Sequence, residues 1–235
     1  MIYGESTRDH LGQEFCYIPA GDYLGGVAGN EEIKIDASFY LGRNPVTVSL
    51  FQAFLNDSNY AYPAEELEKI NQVSSNPNAP VVNVSWLDAK EFCRWIRKKT
   101  GEYYSLPQSD EWERAARGRD ARLYPWGNSS PDLQKAFYGS YAGGQTSQVG
   151  QRPAGASPYG CEDMAGNVWE WCVDCFVDDS DPHILRGGSW QNEPEYLTNS
   201  QRLFSFPPEK RATYMGFRLL YLPGRMYQEY ISAYE

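Results

Sequence analysis

Residues able to carry metal, redox or acid–base chemistry are few in this chain, and their spacing limits what they can do. There are five cysteines, Cys16, Cys93, Cys161, Cys172 and Cys175, and two histidines, His10 and His183. Cys172-Val-Asp-Cys175 forms a CxxC pair. Such a pair does redox work in a thioredoxin-like setting, and holds zinc when a second pair completes the ligand set. No second CxxC occurs, and EWCVDCF reads as strand or turn rather than as a helix N-terminus that would lower a thiol pKa. The expectation is packed or partly exposed free thiols, with Cys93 in the core. Two histidines outside any motif make Ser-His-Asp catalysis hard to build, and GxxxxGK, GxGxxG, GxSxG and HExxH are all absent. Asp163-Met-Ala-Gly-Asn-Val-Trp-Glu170 is the best metal candidate. It places two carboxylates around Gly166, and calcium takes roughly six to eight oxygens arranged on a tight turn. The alternative is that Asn167 and Glu170 satisfy buried backbone groups around the tryptophans. Asp110, Glu111 and Glu113 sit at a helix start and suit the helix dipole, and Glu65, Glu66 and Glu68 read as a solvated face.

A different kind of pattern lies in RGGSWQNEPEYLTNSQRLFSFPPEKRATYMGFR, from Arg186 to Arg218. Its ends are specific: paired glycines for a tight backbone at one end, and GFR running into an apolar LLY at the other. The interior mixes Gln, Glu, Tyr, Asn, Leu, Phe, Lys and Thr without periodicity. Fixed ends around a chemically mixed interior need a function.

The elements that must position these residues read as follows. EFCYIPAGDYLGG is a strand followed by a Gly turn, and IKIDASFYLGR is a second strand. SLFQAFLND is a short helix with Thr47 as N-cap. Residues 58–80 are polar and carry prolines, which predicts a loop. VVNVSWLDAKEFCRWIRKKTG is the clearest helix: Ser85 and Asp88 form a capping box, Leu87, Ala89, Phe92, Cys93 and Ile96 give an apolar face, and Gly101 ends it. A further helix spans Ser109 to Arg117. The chain is then mostly turns to about residue 183, short strands from Leu185, and beyond Leu222 a terminal helix or a frayed tail. With 235 residues and no repeat or linker, a single domain over 1–235 is expected. Aromatics at 15% exclude a disordered chain. A net charge of −10 argues against nucleic acid and anionic membranes as partners. No apolar run is long enough to span a bilayer, MIYGESTRDH lacks signal-peptide features, and the default location is cytoplasmic.

FCYIPAGDYLGG, NPVTVSLFQAF, PVVNVSWLDAKEFCRWI, YYSLPQSDEWERAARG, YPWGN, SPYGCEDMAGNVWEW, LRGGSW and GFRLL occur in this order. Together they resemble the formylglycine-generating-enzyme-like family, also called the sulfatase-modifying-factor domain, over about Phe15 to Tyr221. The resemblance implies an α+β domain with the C-type-lectin-like fold, few regular elements and many loops. It also implies calcium held by the side chains at Asp163 and Glu170 and the carbonyls at Gly166 and Val168. A second family calcium site, near Ala136-Phe137-Tyr138, lacks its Asn here and is not expected. The family's enzymes bind copper through two cysteines between the GGS and GFR markers. In this chain no cysteine follows Cys175, so a thiolate-dependent oxidase loses its soft ligands. A disulfide the family forms from the Cys93 position is lost too, because its partner position is Leu219. The sulfoxide-synthase branch takes iron through histidines of a separate helical domain, which His10 and His183 do not replace. Neither copper nor iron is expected.

A third branch of the family is non-catalytic and displays a variable surface, in some members diversified by retroelements between GGSW and GFR. That answers the question of the mixed interior. RGGSW and GFR hold the ends, and the segment 190–214 binds a ligand, which an aromatic and amide-rich surface suggests is a protein or peptide. Trp190, Tyr196, Phe204, Phe206 and Tyr214 supply apolar area, while Gln191, Glu193, Glu195, Asn199, Gln201, Lys210 and Thr213 supply adaptable hydrogen bonding. The competing expectation is that about half of these aromatics are core. A divergent oxidase, or a regulatory module beside a signalling partner, are the other functions that the resemblance leaves open.

Overall fold

The computed structural model describes residues 5–174 and 181–234, the side chains of Ser140, Tyr141, Phe204 and Ser205 apart. Cys175 and the Phe204 side chain therefore lie outside the described residues. In chain order the elements are β1 (Ser6–Arg8), β2 (Glu14–Ile18), β3 (Gly21–Gly25), β4 (Glu31–Ile35), β5 (Phe39–Gly42), α1 (Val48–Ser58), α2 (Ala64–Val73), α3 (Trp86–Thr100), β6 (Tyr103–Ser105), α4 (Ser109–Arg117), β7 (Trp169–Trp171), β8 (His183–Arg186), β9 (Arg202–Phe206), β10 (Met215–Gly216), β11 (Leu220–Leu222) and α5 (Arg225–Tyr234). An antiparallel sheet runs β1-β2-β5-β11-β6, so the late strand β11 pairs between two early ones. A second sheet runs β10-β7-β8-β9, with β10 parallel to β7, and β3-β4 form a hairpin.

Local chemistry explains the helices. Ser85 Oγ accepts from Asp88 N while the Asp88 carboxylate accepts from Ser85 N, and Gly101 closes α3 at φ +77°. Thr47 Oγ1 accepts from Leu50 N at the start of α1. Leu87 is a correction: it is 44% exposed, whereas Trp86 is buried. Leu87 precedes Ala89 by two positions, which places it about 200° round the helix from the apolar face. Residues 58–80 are also corrected, because they contain α2. Pro63 precedes it, Glu65 and Glu66 stand in its first turn, and Ile70 is its one fully buried apolar side chain, too few for a periodic signal. Glu66 is not merely solvated either, since Asn83 Nδ2 donates to it at 2.6 Å and Lys69 pairs with it. The two predicted strands each split in two, at Pro19-Ala20 and at Asp36-Ala37-Ser38.

One core region packs α1 and α3 through Phe51, Phe54, Phe92 and Trp95 onto Trp169, Trp171 and Phe217. Another packs α4 through Trp112, Ala115 and Ala116 onto Cys16, Ile18, Phe39, Leu41 and Leu220. Cys93 is core, as expected, and Cys16, Cys161 and Cys172 are buried free thiols. Burial pushes the Cys172 thiol well up. The acids of α4 do more than answer the helix dipole. Glu111 and Glu113 are fully buried. Glu111 caps Gln108 N and accepts from the Tyr230 hydroxyl at 2.6 Å, which fastens α5 to α4.

The sheets are joined by Arg218, which follows β10 and is fully buried. Its guanidinium grips Glu170 of β7 at 2.6 and 2.7 Å and donates to the carbonyls of Gly42, Arg43 and Glu162. Breaking such a pair strands a charge in the interior. We expect Arg218→Met to cost about 3–5 kcal/mol in urea unfolding. Arg218→Met combined with Glu170→Gln should cost clearly less than the sum of the two single changes; additive losses would mean that the pair is not coupled.

Glu111 supplies a pH dependence. Burial raises its pKa to about 7, against the opposing hydrogen bonds from Tyr230 and Gln108. The fold thus favours the protonated carboxyl, and this contribution is fully present below the ordinary value near 4.5 and lost as pH rises through about 7. Between about pH 5 and about pH 8, the stability of Glu111→Gln should improve relative to wild type by roughly 2–3 kcal/mol. Urea titrations of both proteins at the two pH values measure it, and a constant difference would show that Glu111 titrates as an ordinary carboxylate.

Candidate functional site

The segment 190–214 begins at a fixed point. Arg186 is fully buried at the end of β8. It donates to Glu113 at 2.5 Å, to Asn199 O at 3.0 Å and to the carbonyls of Ser200 and Gln201, so one guanidinium holds both the start of the segment and its middle. Glu113 is in turn bound by Arg117 and by Gly26 N. Gly187 and Gly188 follow at φ +96° and +74°. A Cβ at Gly187 would lie 3.0 Å from the Trp112 ring, and one at Gly188 would lie 2.7 Å from Leu197 and 2.8 Å from Tyr196 O. The paired glycines are therefore a packing requirement as well as a conformational one. At the far end, Met215 and Gly216 pair in parallel with Trp169 and Glu170, and Arg218 closes the segment onto Glu170.

Between these ends the predicted residues divide. Gln191, Glu193, Glu195, Tyr196 and Lys210 are exposed. Trp190, Gln201, Phe206, Thr213 and Tyr214 are half-buried, with Trp190 Nε1 donating to Thr213 O and with Phe206 and Tyr214 packed on the core. Asn199 is corrected: it is 1% exposed, its N–H donates to Leu123 O and its amide to Arg122 O, so it staples the segment to a neighbouring loop and does not face a ligand. A cavity of ≈ 210 Å³ opens on this face, lined by Trp169, Ser189, Gln191, Asn192, Tyr196, Leu203 and Tyr214. Of these, Trp169, Ser189, Asn192 and Leu203 were not singled out from the sequence. The Ser-x-x-Asn spacing held a clue, because Asn192 Oδ1 accepts from both Ser189 N and Ser189 Oγ in a local turn. A larger cleft of ≈ 520 Å³ lies between α1 and α3. Its Asp57 and Glu91 are already paired with Lys99 and Arg94.

Of the residues considered for calcium, the two carboxylates are both engaged by protein donors. Both Glu170 oxygens are engaged by Arg218, and Trp112 Nε1 donates to one of them at 2.6 Å. Asp163 sits at φ +53°, and its carboxylate accepts from Gly150 N and Asn167 Nδ2. Burial raises its pKa. Gly166 is packed so tightly that a Cβ would lie 2.4 Å from Phe137 O, and Val168 is core. Among the described residues, no group of three His, Cys, Asp or Glu side chains is placed to hold a metal ion. No described helix is long and apolar enough to cross a membrane.

Among known proteins, the chain is 34% identical over 160 residues to the inactive C-alpha-formylglycine-generating enzyme 2 of Bos taurus, covering 62% of this chain and 51% of that protein. It is 28% identical over 263 residues to the hercynine oxygenase of Mycolicibacterium smegmatis, covering 86% of this chain and 60% of the relative. The chain thus spans little more than half the length of these relatives. The solved structure of Treponema denticola variable protein 1 superposes with a TM-score of 0.74 at 23% identity, over 93% of this chain and 99% of that one. This is a likeness of fold, and it agrees with the α+β, C-type-lectin-like architecture expected. The profile of the sulfatase-modifying factor enzyme 1-like domain matches residues 4–221. The chain belongs to that family.

Proposed function

We propose that this chain is a binding domain that presents the segment 190–214 to a protein or peptide ligand, as a variable protein of the retroelement-diversified kind. The observation that carries the reading is the contrast within one stretch of chain. Buried Arg186 and Arg218 hold its ends with ion pairs to Glu113 and Glu170, while Gln191, Glu193, Glu195, Tyr196 and Lys210 between them project from the surface. Side chains that project in this way are free to vary without disturbing the core, and the cavity beside them combines aromatic walls with amide and hydroxyl groups, as binding surfaces do. An oxidase of the copper type needs thiolates in this segment, and the segment has none.

Sequencing the DNA for residues 180–221 across a population of the source organism tests the diversification. Scattered substitutions between Gly188 and Gly216, together with a nearby near-copy rich in adenine, are expected; a uniform sequence without such a template would remove it. Incubating the protein with Cu(I) and a cysteine-containing peptide tests the competing class. No aldehyde is expected by mass spectrometry, and its appearance would restore the oxidase reading.

A further inference from the structure

The exposed part of the segment is continuous with a second patch that the sequence reading left aside. The short helical turn Pro194–Leu197 carries Glu195 and Tyr196 outward and Leu197 inward. Leu197 joins a small cluster with Ala136, Tyr138 and Ala165, and Tyr124 and Trp126 of the YPWGN loop pack against that same cluster. Asn199 completes the junction through its two bonds to Leu123 and Arg122. The result is one face, in which Tyr124 and Trp126 are stacked in parallel with centroids 5.1 Å apart at 2°, while Leu123 and Tyr196 are 46% and 42% exposed beside them.

Two carboxylates on this face are left without a cationic partner among the described residues. Glu193 and Glu195 are exposed, and neither has an ion pair or a side-chain hydrogen bond to another described residue. The Glu193 carboxylate stands over the turn at Gly139, about 4 Å from where a Cβ there would be. Glu195 lies close enough to Tyr124 that its charge, after burial, helps to push the phenol up. Stacked aromatic rings and unpaired carboxylates are both attractive to a cation, and Arg exploits the two together because its guanidinium is planar and weakly hydrated. The net charge of −10 adds a long-range field of the same sign.

We propose that the occupant of this face is a basic protein segment, whose Arg or Lys side chain is received by the Tyr124–Trp126 stack with Glu193 and Glu195 as counter-charges. The inference rests on the binding-domain reading and adds the chemistry of the partner. It also extends the recognition surface beyond the segment 190–214 to the YPWGN loop.

Selection of short random peptides displayed on phage against the full chain, followed by fluorescence anisotropy with the peptides recovered, tests both readings separately. Recovered peptides should be enriched in Arg and Lys. The isosteric double variant Glu193→Gln/Glu195→Gln should bind them roughly five- to tenfold more weakly, with an unchanged Tm, and added salt should weaken the wild-type complex. Peptides that show no basic enrichment, but lose binding in Gln191→Ala/Tyr214→Ala, would overturn the basic partner and leave the binding surface standing. Peptides insensitive to both double variants, or no enrichment at all, would overturn both.

Discussion

The fold turns on the need to neutralise arginines in the interior. Arg186 and Arg218 are both fully buried, and each is matched by a carboxylate on a different element: Glu113 of α4 and Glu170 of β7. A charge removed from water costs least when it is paired and hydrogen-bonded. The acceptors here are backbone carbonyls far apart in the chain, from Gly42 to Glu162 for one guanidinium and at residues 199–201 for the other. Pairing these two side chains therefore ties β7 and the chain after β10 to the end of β5, and α4 to β8. Trp112 serves both systems, with its indole N–H on Glu170 and its ring beneath Arg186.

This arrangement separates what holds the fold from what is presented on it. The polar contacts that fix the 190–214 segment are those at its two ends, those of Asn199, and the ion pairs of Arg202 with Asp110 and Glu113 and of Arg211 with buried Asp88, while Gln191, Glu193, Glu195 and Lys210 face solvent. Affinity at such a surface is set by a few side chains, while the energy of folding is stored below. The family includes relatives named as inactive and relatives named as enzymes. The chemistry of the surface therefore has to be argued from its own side chains, which here are carboxylates, amides and aromatic rings and not thiols.

Local chemistry was legible in the sequence and long-range pairing was not. The ends of α3 could be read because Ser85, Asp88 and Gly101 act on neighbours within a turn or two. The helix α2 could not, since it covers the core with little more than Ile70. Nor could β7, whose three residues are all buried and so show no alternation. Acids on α4 looked like dipole partners because the arginine that claims Glu113 lies 73 residues away. Along the 190–214 segment, polarity identified Gln191, Glu193, Glu195 and Lys210 correctly as exposed, and the same criterion misplaced Asn199, whose side-chain amide donates to Arg122 O.

The buried Asn199 has a consequence for the entropy of the chain. By tying the segment to the loop at Arg122 and Leu123, and to Arg186 through its own carbonyl, it converts one long excursion of the chain into two shorter ones. Shorter loops lose less entropy on closing. On one side of the node Leu197 packs into the cluster that the YPWGN loop covers, and on the other the chain enters β9, which pairs with β8. The two excursions stay joined near their outer ends by the bond from Trp190 Nε1 to Thr213 O.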